Sequence, residues 1–174
     1  MDFQSVLIII IVAVIAFLTF YVIGIYNKLV NSSNLVNDKW QEIDKLLTNK
    51  MQLISKLVEV VKNYAKAEEA LFNMILSNKN RVNNAISIND KIDANASLNK
   101  NLNDLINLDK NYDELAEDSK FKSLIEDINS IDSSINYAKE FYNDFALKHN
   151  KMIEKFPASL VARSFSFKSF ELFK

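Results

Sequence analysis

The sequence lacks cysteine and has one glycine, Gly24, and one proline, Pro157. The absence of cysteine excludes disulfide bonds, thiolate catalysis and most zinc sites. Tight turns in sheet proteins use Gly, Pro, Asn or Asp, and the first two are nearly missing although Asn is plentiful. Because few obligatory breaks interrupt the chain, the composition favours long helices and an all-α fold.

An excess of charge of one sign is also missing, since charged residues are 25% of the chain and the formal net charge is −1. Nucleic-acid binding needs a net or clustered positive field, so we expect no nucleic-acid partner. The one glycine lies inside an apolar run, which excludes a glycine-rich phosphate-binding loop. The H-E-x-x-H and G-x-S-x-G motifs are absent as well.

The single histidine, His149, has Ala146 three residues before it, so the Glu-x-x-His unit of di-iron bundles is missing. A buried core histidine is the favoured interpretation over a catalytic base. We therefore expect no metal, no cofactor and no enzymatic activity. A hydrolase that uses carboxylates such as Glu68, Glu69 or Asp44 is the weaker alternative, because acid–base catalysis needs a pair in one pocket.

One long hydrophobic run opens the chain: residues 3–26 carry no charge, and residues 6–18 are apolar throughout. At ~1.5 Å per residue, roughly 20 helical residues cross a bilayer core. We predict that residues 1–26 are a transmembrane anchor, with Tyr21 and Tyr26 in an aromatic belt and residues 3–26 in contact with lipid. The alternatives are a cleaved signal peptide, which has a basic start and a shorter apolar core, and a buried helix of a soluble protein.

The lysines near this run predict its orientation. No lysine or arginine precedes it, whereas Lys28, Lys39 and Lys45 follow within about 20 residues, the range over which positive charge sets topology. We expect the N-terminus outside and residues 28–174 in the cytoplasm.

Apolar residues then recur at steps of three and four, which predicts helices with one buried stripe. The first stripe comprises Trp40, Ile43, Leu47, Ile54, Leu57, Val58, Val61, Tyr64, Ala65, Leu71, Phe72 and Ile75. We predict that part of the asparagine-rich stretch 78–89 is a loop. A second stripe follows from Ile92 to Leu108 and stops near residues 111–114.

The clearest period alternates steps of four and three, the spacing of coiled-coil and bundle seams. It predicts a helix over residues 119–154, capped by Asp118 or Ser119 and ended before Pro157. The seam positions are Leu124, Ile128, Ile131, Ile135, Ala138, Tyr142, Phe145, His149, Met152 and Phe156.

The tail, residues 157–174, is rich in aromatic residues. These side chains either fold back on the end of the helical bundle or contact a partner or the membrane surface.

Several polar residues lie beside the apolar stripes. They either occupy exposed surface positions or form buried hydrogen bonds that fix the helix register: Asn27, Asn37, Asp44, Asn143, Asp144 and Asn150.

Several motifs in order resemble the LemA family across nearly the whole chain. Residues 26–30 read Y-N-K-L-V, and residues 36–44 match the spacing of V-N-x-A-W-x-x-I-D. Residues 53–65 read L-I-S-K-L-V-E-V-V-K-N-Y-A, followed by Glu68. Later come Y-N-D at 142–144, Asn150, F-P at 156–157 and L-V-A at 160–162.

The resemblance implies a long antiparallel four-helix bundle (residues 27–156) on a single-span anchor in a bacterial cell membrane. It implies no reaction. The chain departs from the pattern at Ser55 for proline, Asn63 for glycine, Ala67 for histidine and His149 for tyrosine, and the tail glycine is replaced by Ser166. We expect a straighter helix around Ser55, and any role tied to a flexible tail glycine is in doubt.

The functional hypothesis is a scaffold or adaptor for other membrane proteins, with self-association possible. An accessory subunit of a membrane protease or quality-control system is the alternative. Candidate register or interaction positions are Asn27, Trp40, Asp44, Tyr64, Tyr142, Asn143, Asn150, Phe156, Pro157, Phe165 and Phe167.

Overall fold

A computed structural model describes residues 2–85 and 87–173. Over this part of the chain all regular structure is helical and no strand occurs, which confirms the all-α prediction. The helices are α1 (Phe3–Tyr64), α2 (Glu69–Asn84), α3 (Ile88–Ile106), α4 (Asp113–Glu117), α5 (Ser119–Glu154) and α6 (Ala158–Ser164), with a 3-10 turn at Asn107–Lys110.

Helix α1 runs without a break from the apolar N-terminal segment into the charged body of the chain. Its interior has no proline, and its single glycine, Gly24, meets no other atom within 4 Å of where a Cβ would lie. The helix continues through Ser55, which unlike proline keeps its backbone N–H, and the Ser55 hydroxyl donates to the Met51 carbonyl at 2.8 Å. No loop therefore separates the candidate anchor from the helical body.

The first stripe was predicted to run on to Ile75, but the structure interrupts it after Tyr64, and α2 begins at Glu69. The backbone N–H of Ala65 still donates to the Val61 carbonyl. The break leaves Phe72 and Ile75 in the same hydrophobic core as Val61. The break lets α2 and the C-terminal end of α1 bury their apolar faces in the same core, which one continuous helix could not do, and this is the physical reason for the difference.

Residues 43–136 form one compact unit, and most of the residues of a large hydrophobic core lie in it. Segments of α1, α2, α3 and α5 all contribute side chains to it, and Leu115 of α4 is fully buried although no helix was predicted there. Within the stretch 78–89, part of which was predicted to be a loop, α2 continues to Asn84 and α3 begins at Ile88. Core residues include Ile54, Leu57, Val61, Phe72, Ile75, Leu98, Leu105, Leu115, Phe121 and Ile128.

Residues 2–42 and 137–173 form the second unit. Its centre is Leu29 of α1 against Val161 and Ala162 of α6, with Ile25 and Phe167 at the edge of the cluster. The helix α6 follows directly after Pro157, which serves as its N-cap residue. The short C-terminal helix therefore packs beside the part of α1 that leaves the apolar run.

The structure confirms the predicted range of α5, residues 119–154. Its N-terminus is capped by Asp118, whose Oδ1 accepts the Phe121 N–H at 2.8 Å. The seam residues are buried or half-buried, with one correction: Phe156 is 80% exposed. Since α5 ends at Glu154, Phe156 lies beyond the last turn and no longer follows the helical period.

Candidate functional site

The N-terminal part of α1 is an exposed apolar surface. Every side chain from residue 3 to residue 24 is exposed, and Phe3, Phe17 and Phe20 are each at least 70% exposed. The helix is long and apolar enough to cross a membrane. In contact with water this surface would be far larger than the apolar patches that soluble monomers tolerate.

A polar side chain inside this segment is internally satisfied. The Thr19 hydroxyl donates to the Ile15 carbonyl at 2.8 Å. Hydrocarbon offers no hydrogen-bond partner, so a polar group there must bond within its own helix or to a neighbour. The Phe17 and Tyr21 rings stack with centroids 6.5 Å apart. The segment is thus a candidate membrane span by length, composition and hydrogen bonding.

Two asparagines of α5 bind the backbone of the C-terminal tail. The Asn150 side chain donates to the Phe170 carbonyl and accepts the Phe170 N–H, both at 2.8 Å. Asn143 repeats the pattern with Phe173, donating at 3.0 Å and accepting at 2.8 Å. We call Asn143 and Asn150 with these four hydrogen bonds the asparagine clamp.

The spacing of the clamp follows from helix and strand geometry. Asn143 and Asn150 are seven residues apart, which is about two turns and ~10 Å along a helix. Three extended residues, the separation of Phe170 and Phe173, also cover ~10 Å. The later tail residue binds the earlier helix residue, so the tail runs antiparallel to α5. Two equally spaced amides can therefore hold an extended segment in one register.

Aromatic side chains cover the same tail. The Phe173 ring is 4.9 Å from Tyr142 and 6.2 Å from Trp40, centroid to centroid. The Tyr142 hydroxyl donates to the Glu171 carbonyl at 3.1 Å, and burial raises the pKa of this phenol. Four of the predicted candidate positions, Trp40, Tyr142, Asn143 and Asn150, thus contact the tail, and Phe165 and Phe167 are part of it. All six lie in the unit of residues 2–42 and 137–173.

The backbone between α6 and the clamp includes a strained residue. Ser166 has a φ of 59°, in the left-handed region that glycine adopts most readily. This is the position where the sequence has serine instead of the glycine of the resemblance. The Phe167 N–H donates to the Ala162 carbonyl at 2.9 Å, which closes the turn after α6. The turn geometry is kept although the residue is less suited to it.

His149 is fully buried on the α5 seam. Its Nδ1 lies 3.3 Å from the Ser32 hydroxyl, and the Phe170 ring packs edge-on at 5.1 Å. Nε2 has no hydrogen-bond partner within the described residues. Burial holds the pKa of His149 below its ordinary 6.5, and the Lys168 backbone partly opposes this shift. Burial beside the tail therefore favours the neutral form of the ring.

The other candidate positions are dispersed. Asp44 forms an ion pair with Lys91, and the Tyr64 hydroxyl donates to Asp118 at 2.8 Å, both inside the unit of residues 43–136. The Phe121 N–H and the Tyr64 hydroxyl lower the pKa of Asp118. Asn27 is exposed, and Phe156 and Pro157 form the turn between α5 and α6.

Sequence reasoning missed Lys50, which is fully buried. Its ammonium group contacts Asp132 and Asn99, each at 2.5 Å. Position 50 lies between Leu47 and Ile54 at steps of three and four, so its phase alone places it on the buried stripe. No group of three or more acidic or histidine side chains in the described ranges is arranged to hold a metal ion.

These features define an all-helical protein with a candidate N-terminal membrane span and an aromatic tail held against its helices. The LemA family model matches residues 39–174, which is most of the chain, and the protein belongs to the LemA family. The match includes the asparagine clamp and α6. A search of curated proteins gave no match.

Proposed function

We propose that the protein is a non-enzymatic scaffold or adaptor, anchored in a cell membrane, which binds other membrane proteins through its helical body. The observation that carries this proposal is the continuity of α1. One helix contains the lipid-compatible segment and also Leu29, at the centre of the unit of residues 2–42 and 137–173. A folded unit built on the anchor helix itself stays next to the bilayer, where its partners would be membrane proteins.

The same continuity favours an uncleaved anchor over a signal sequence. Ile25 packs against the cluster of Leu29, Val161 and Ala162, so the end of the apolar segment is part of the folded unit. Cleavage near residue 26 would remove that contact. We propose the bacterial inner membrane and a cytoplasmic body, because Lys28, Lys39 and Lys45 follow the apolar run and positive charge favours the cytoplasmic side.

For the body we propose an antiparallel four-helix arrangement of α2, α3 and segments of α1 and α5. All four contribute to one core in residues 43–136. Helix α2 ends at Asn84 and α3 begins at Ile88, and helices so close in sequence are favoured as antiparallel neighbours. The 3.5-residue period of the α5 seam agrees with helices that pack at about 20°.

The partner surface that we propose is the outer face of α5. Tyr137 is 66% exposed and Phe141, one turn later, is 56% exposed. Rigid aromatic side chains are enriched at the centres of protein interfaces. On a helix, an i,i+4 aromatic pair presents one continuous strip to a partner helix.

Site-specific photocrosslinking in cells tests this proposal. A photoreactive residue at Phe141 of the full-length chain is expected to capture membrane proteins. Capture should fall with Tyr137→Ser in the same chain. The matched control changes two exposed apolar residues in the other unit, Met74→Ser with Leu76→Ser, and should leave capture unchanged.

Two outcomes would count against the proposal. Capture of abundant background proteins alone would remove the support for a scaffold. Equal loss with both sets of variants would assign the partner surface elsewhere. Measuring the turnover of captured proteins after deletion separates a passive scaffold from an accessory subunit of a membrane protease, because only the latter changes their lifetimes.

A further inference from the structure

A second apolar surface lies at the junction of α5, α6 and the tail. Phe156 is 80% exposed, Leu160 57% and Phe165 55%. Their neighbours Val161 and Ala162 are buried, so α6 is amphipathic, with one face packed and the other open. Three large apolar side chains that are open on one short stretch require an apolar environment to cover them.

The position of this surface relative to α1 indicates what covers it. The Phe165 ring is 4.8 Å from the Tyr26 ring, and the Phe167 ring is 5.8 Å from it. Tyr26 lies two residues before Lys28, the first charged residue after the apolar run, at the level where the helix would leave the hydrocarbon core. Phe165, just after the end of α6, is therefore held at the level of a bilayer interface.

Charge distinguishes this region from the rest of the molecule. Residues 148–168 contain five basic residues and one acidic residue, Glu154, in a chain whose net charge is −1. A shallow cleft of about 340 Å³ has an apolar floor framed by three lysines, with Lys148, Lys151, Met152, Lys155, Phe156 and Ala158 as its lining. Apolar side chains beside lysines are the pattern of helices that lie in a membrane interface.

We propose that Phe156, Leu160 and Phe165, together with Lys151, Lys155 and Arg163, form a lipid-docking surface that inserts into the interfacial layer of an anionic bilayer. The aromatic and leucine side chains enter the region between headgroups and acyl chains. The basic side chains bind lipid phosphates. The proposal rests on α1 crossing the membrane and needs no protein partner, so it stands or falls separately from the scaffold function.

The absence of native cysteine makes a direct test available. Full-length Phe156→Cys protein, labelled with an environment-sensitive fluorophore, is reconstituted in phosphatidylcholine–phosphatidylglycerol vesicles that carry shallow nitroxide-labelled lipid. We expect quenching at least about threefold stronger than for Phe141→Cys, which carries the label at an exposed aromatic position of α5. Leu160→Cys supplies an independent second position.

The charge contribution is tested in the same vesicles. Replacing Lys151, Lys155 and Arg163 with glutamine should reduce quenching at position 156 by about twofold or more, since each basic residue near an anionic surface adds attraction. Glutamine at Lys56, Lys100 and Lys110, which are exposed in the other unit, should change nothing. Phosphatidylcholine alone should give the weaker quenching of the triple variant.

Equal quenching at positions 156 and 141 would overturn the proposal. So would a label at 156 that stays water-exposed in pure lipid vesicles and becomes protected only in native membranes, because that result assigns the surface to a protein partner. Circular dichroism of each variant verifies that the helices are intact. Since all substituted side chains are exposed, loss of fold is not expected.

Discussion

Removal of one asparagine from the clamp should release the C-terminal tail as a unit. Asn150 makes two hydrogen bonds to Phe170, and a typical protein hydrogen bond contributes about 1 kcal/mol net. Asn150→Ala should therefore lower the free energy of opening the tail by about 2 kcal/mol. At about 1.4 kcal/mol per factor of ten, the open population rises about 30-fold.

Hydrogen exchange at the Phe173 amide measures this opening. That N–H is bonded to Asn143, which the Asn150→Ala variant leaves in place, so faster exchange there reports opening of the whole tail. Exchange is preferable to thermal unfolding because alanine also raises helix propensity by about 0.5 kcal/mol, which would mask part of the loss in α5. Tail opening leaves α5 folded, so the gain in helix propensity does not affect the exchange rate at Phe173.

The control is Asn136→Ala, the same change at an exposed position of α5, which should leave exchange at Phe173 unaltered. Unchanged exchange at Phe173 in Asn150→Ala, with faster exchange at Phe170 alone, would show that the two asparagines hold the tail independently. No change at either amide would refute the energetic role of the clamp altogether.

Four further predictions concern single side chains in the full-length protein in detergent, followed by thermal unfolding of the body. Asp132→Ala removes the Asp132 carboxylate from the buried Lys50 ammonium and should lower the free energy of unfolding by about 2 kcal/mol or more. Lys50→Met should lower it less, because Asp132 is partly solvated, and equal losses would contradict this reasoning. For His149 the lowered folded pKa means that stability is retained above pH 6.5 and falls as the pH drops from there toward the folded pKa, a dependence that His149→Phe should remove. The lowered pKa of Asp118 likewise gives stability above pH 3.8 that is lost as the pH falls through the folded value; Asp118→Ala should destabilise more than the capping-competent Asp118→Asn. Ser166→Gly should stabilise by about 0.5–1 kcal/mol, because glycine adopts the positive φ without a clash, and a destabilised variant would show that the serine side chain has another role.

Helix α5 shows which parts of this fold the sequence predicts. The apolar seam of α5 alternates steps of four and three along its whole length. Asp118 precedes the helix and Pro157 follows it, so nearby residues determine both its ends and its buried face. The break at 65–68 was not predictable in this way, because the apolar residues continue at helical spacing and neither glycine nor proline marks the turn. Only the shared core of Val61 and Phe72 explains it.

The candidate site was predictable in its residues and not in its partners. The sequence identifies Asn143 and Asn150 as polar positions beside the seam. They bind the tail backbone, and no side-chain pattern in the sequence predicts a contact with backbone groups. Lys50 is the opposite case. Its phase predicts burial, yet its partners Asn99 and Asp132 are distant in sequence and only the fold brings them together.

The asparagine clamp holds the tail through its backbone and leaves some of the tail side chains exposed. Because the asparagine amides bind main-chain groups, they place no demand on the side chains they hold, and Leu172 stays exposed while Phe173 is buried. The same restraint positions the preceding turn, where Phe165 and Phe167 contact Tyr26 at the end of the candidate span. If the clamp opens as a unit, these two rings lose the restraint on their C-terminal side. Labels at Phe156 and Leu160, which lie before that turn, should then keep their lipid quenching in Asn150→Ala, whereas a label at Phe165 should lose part of it.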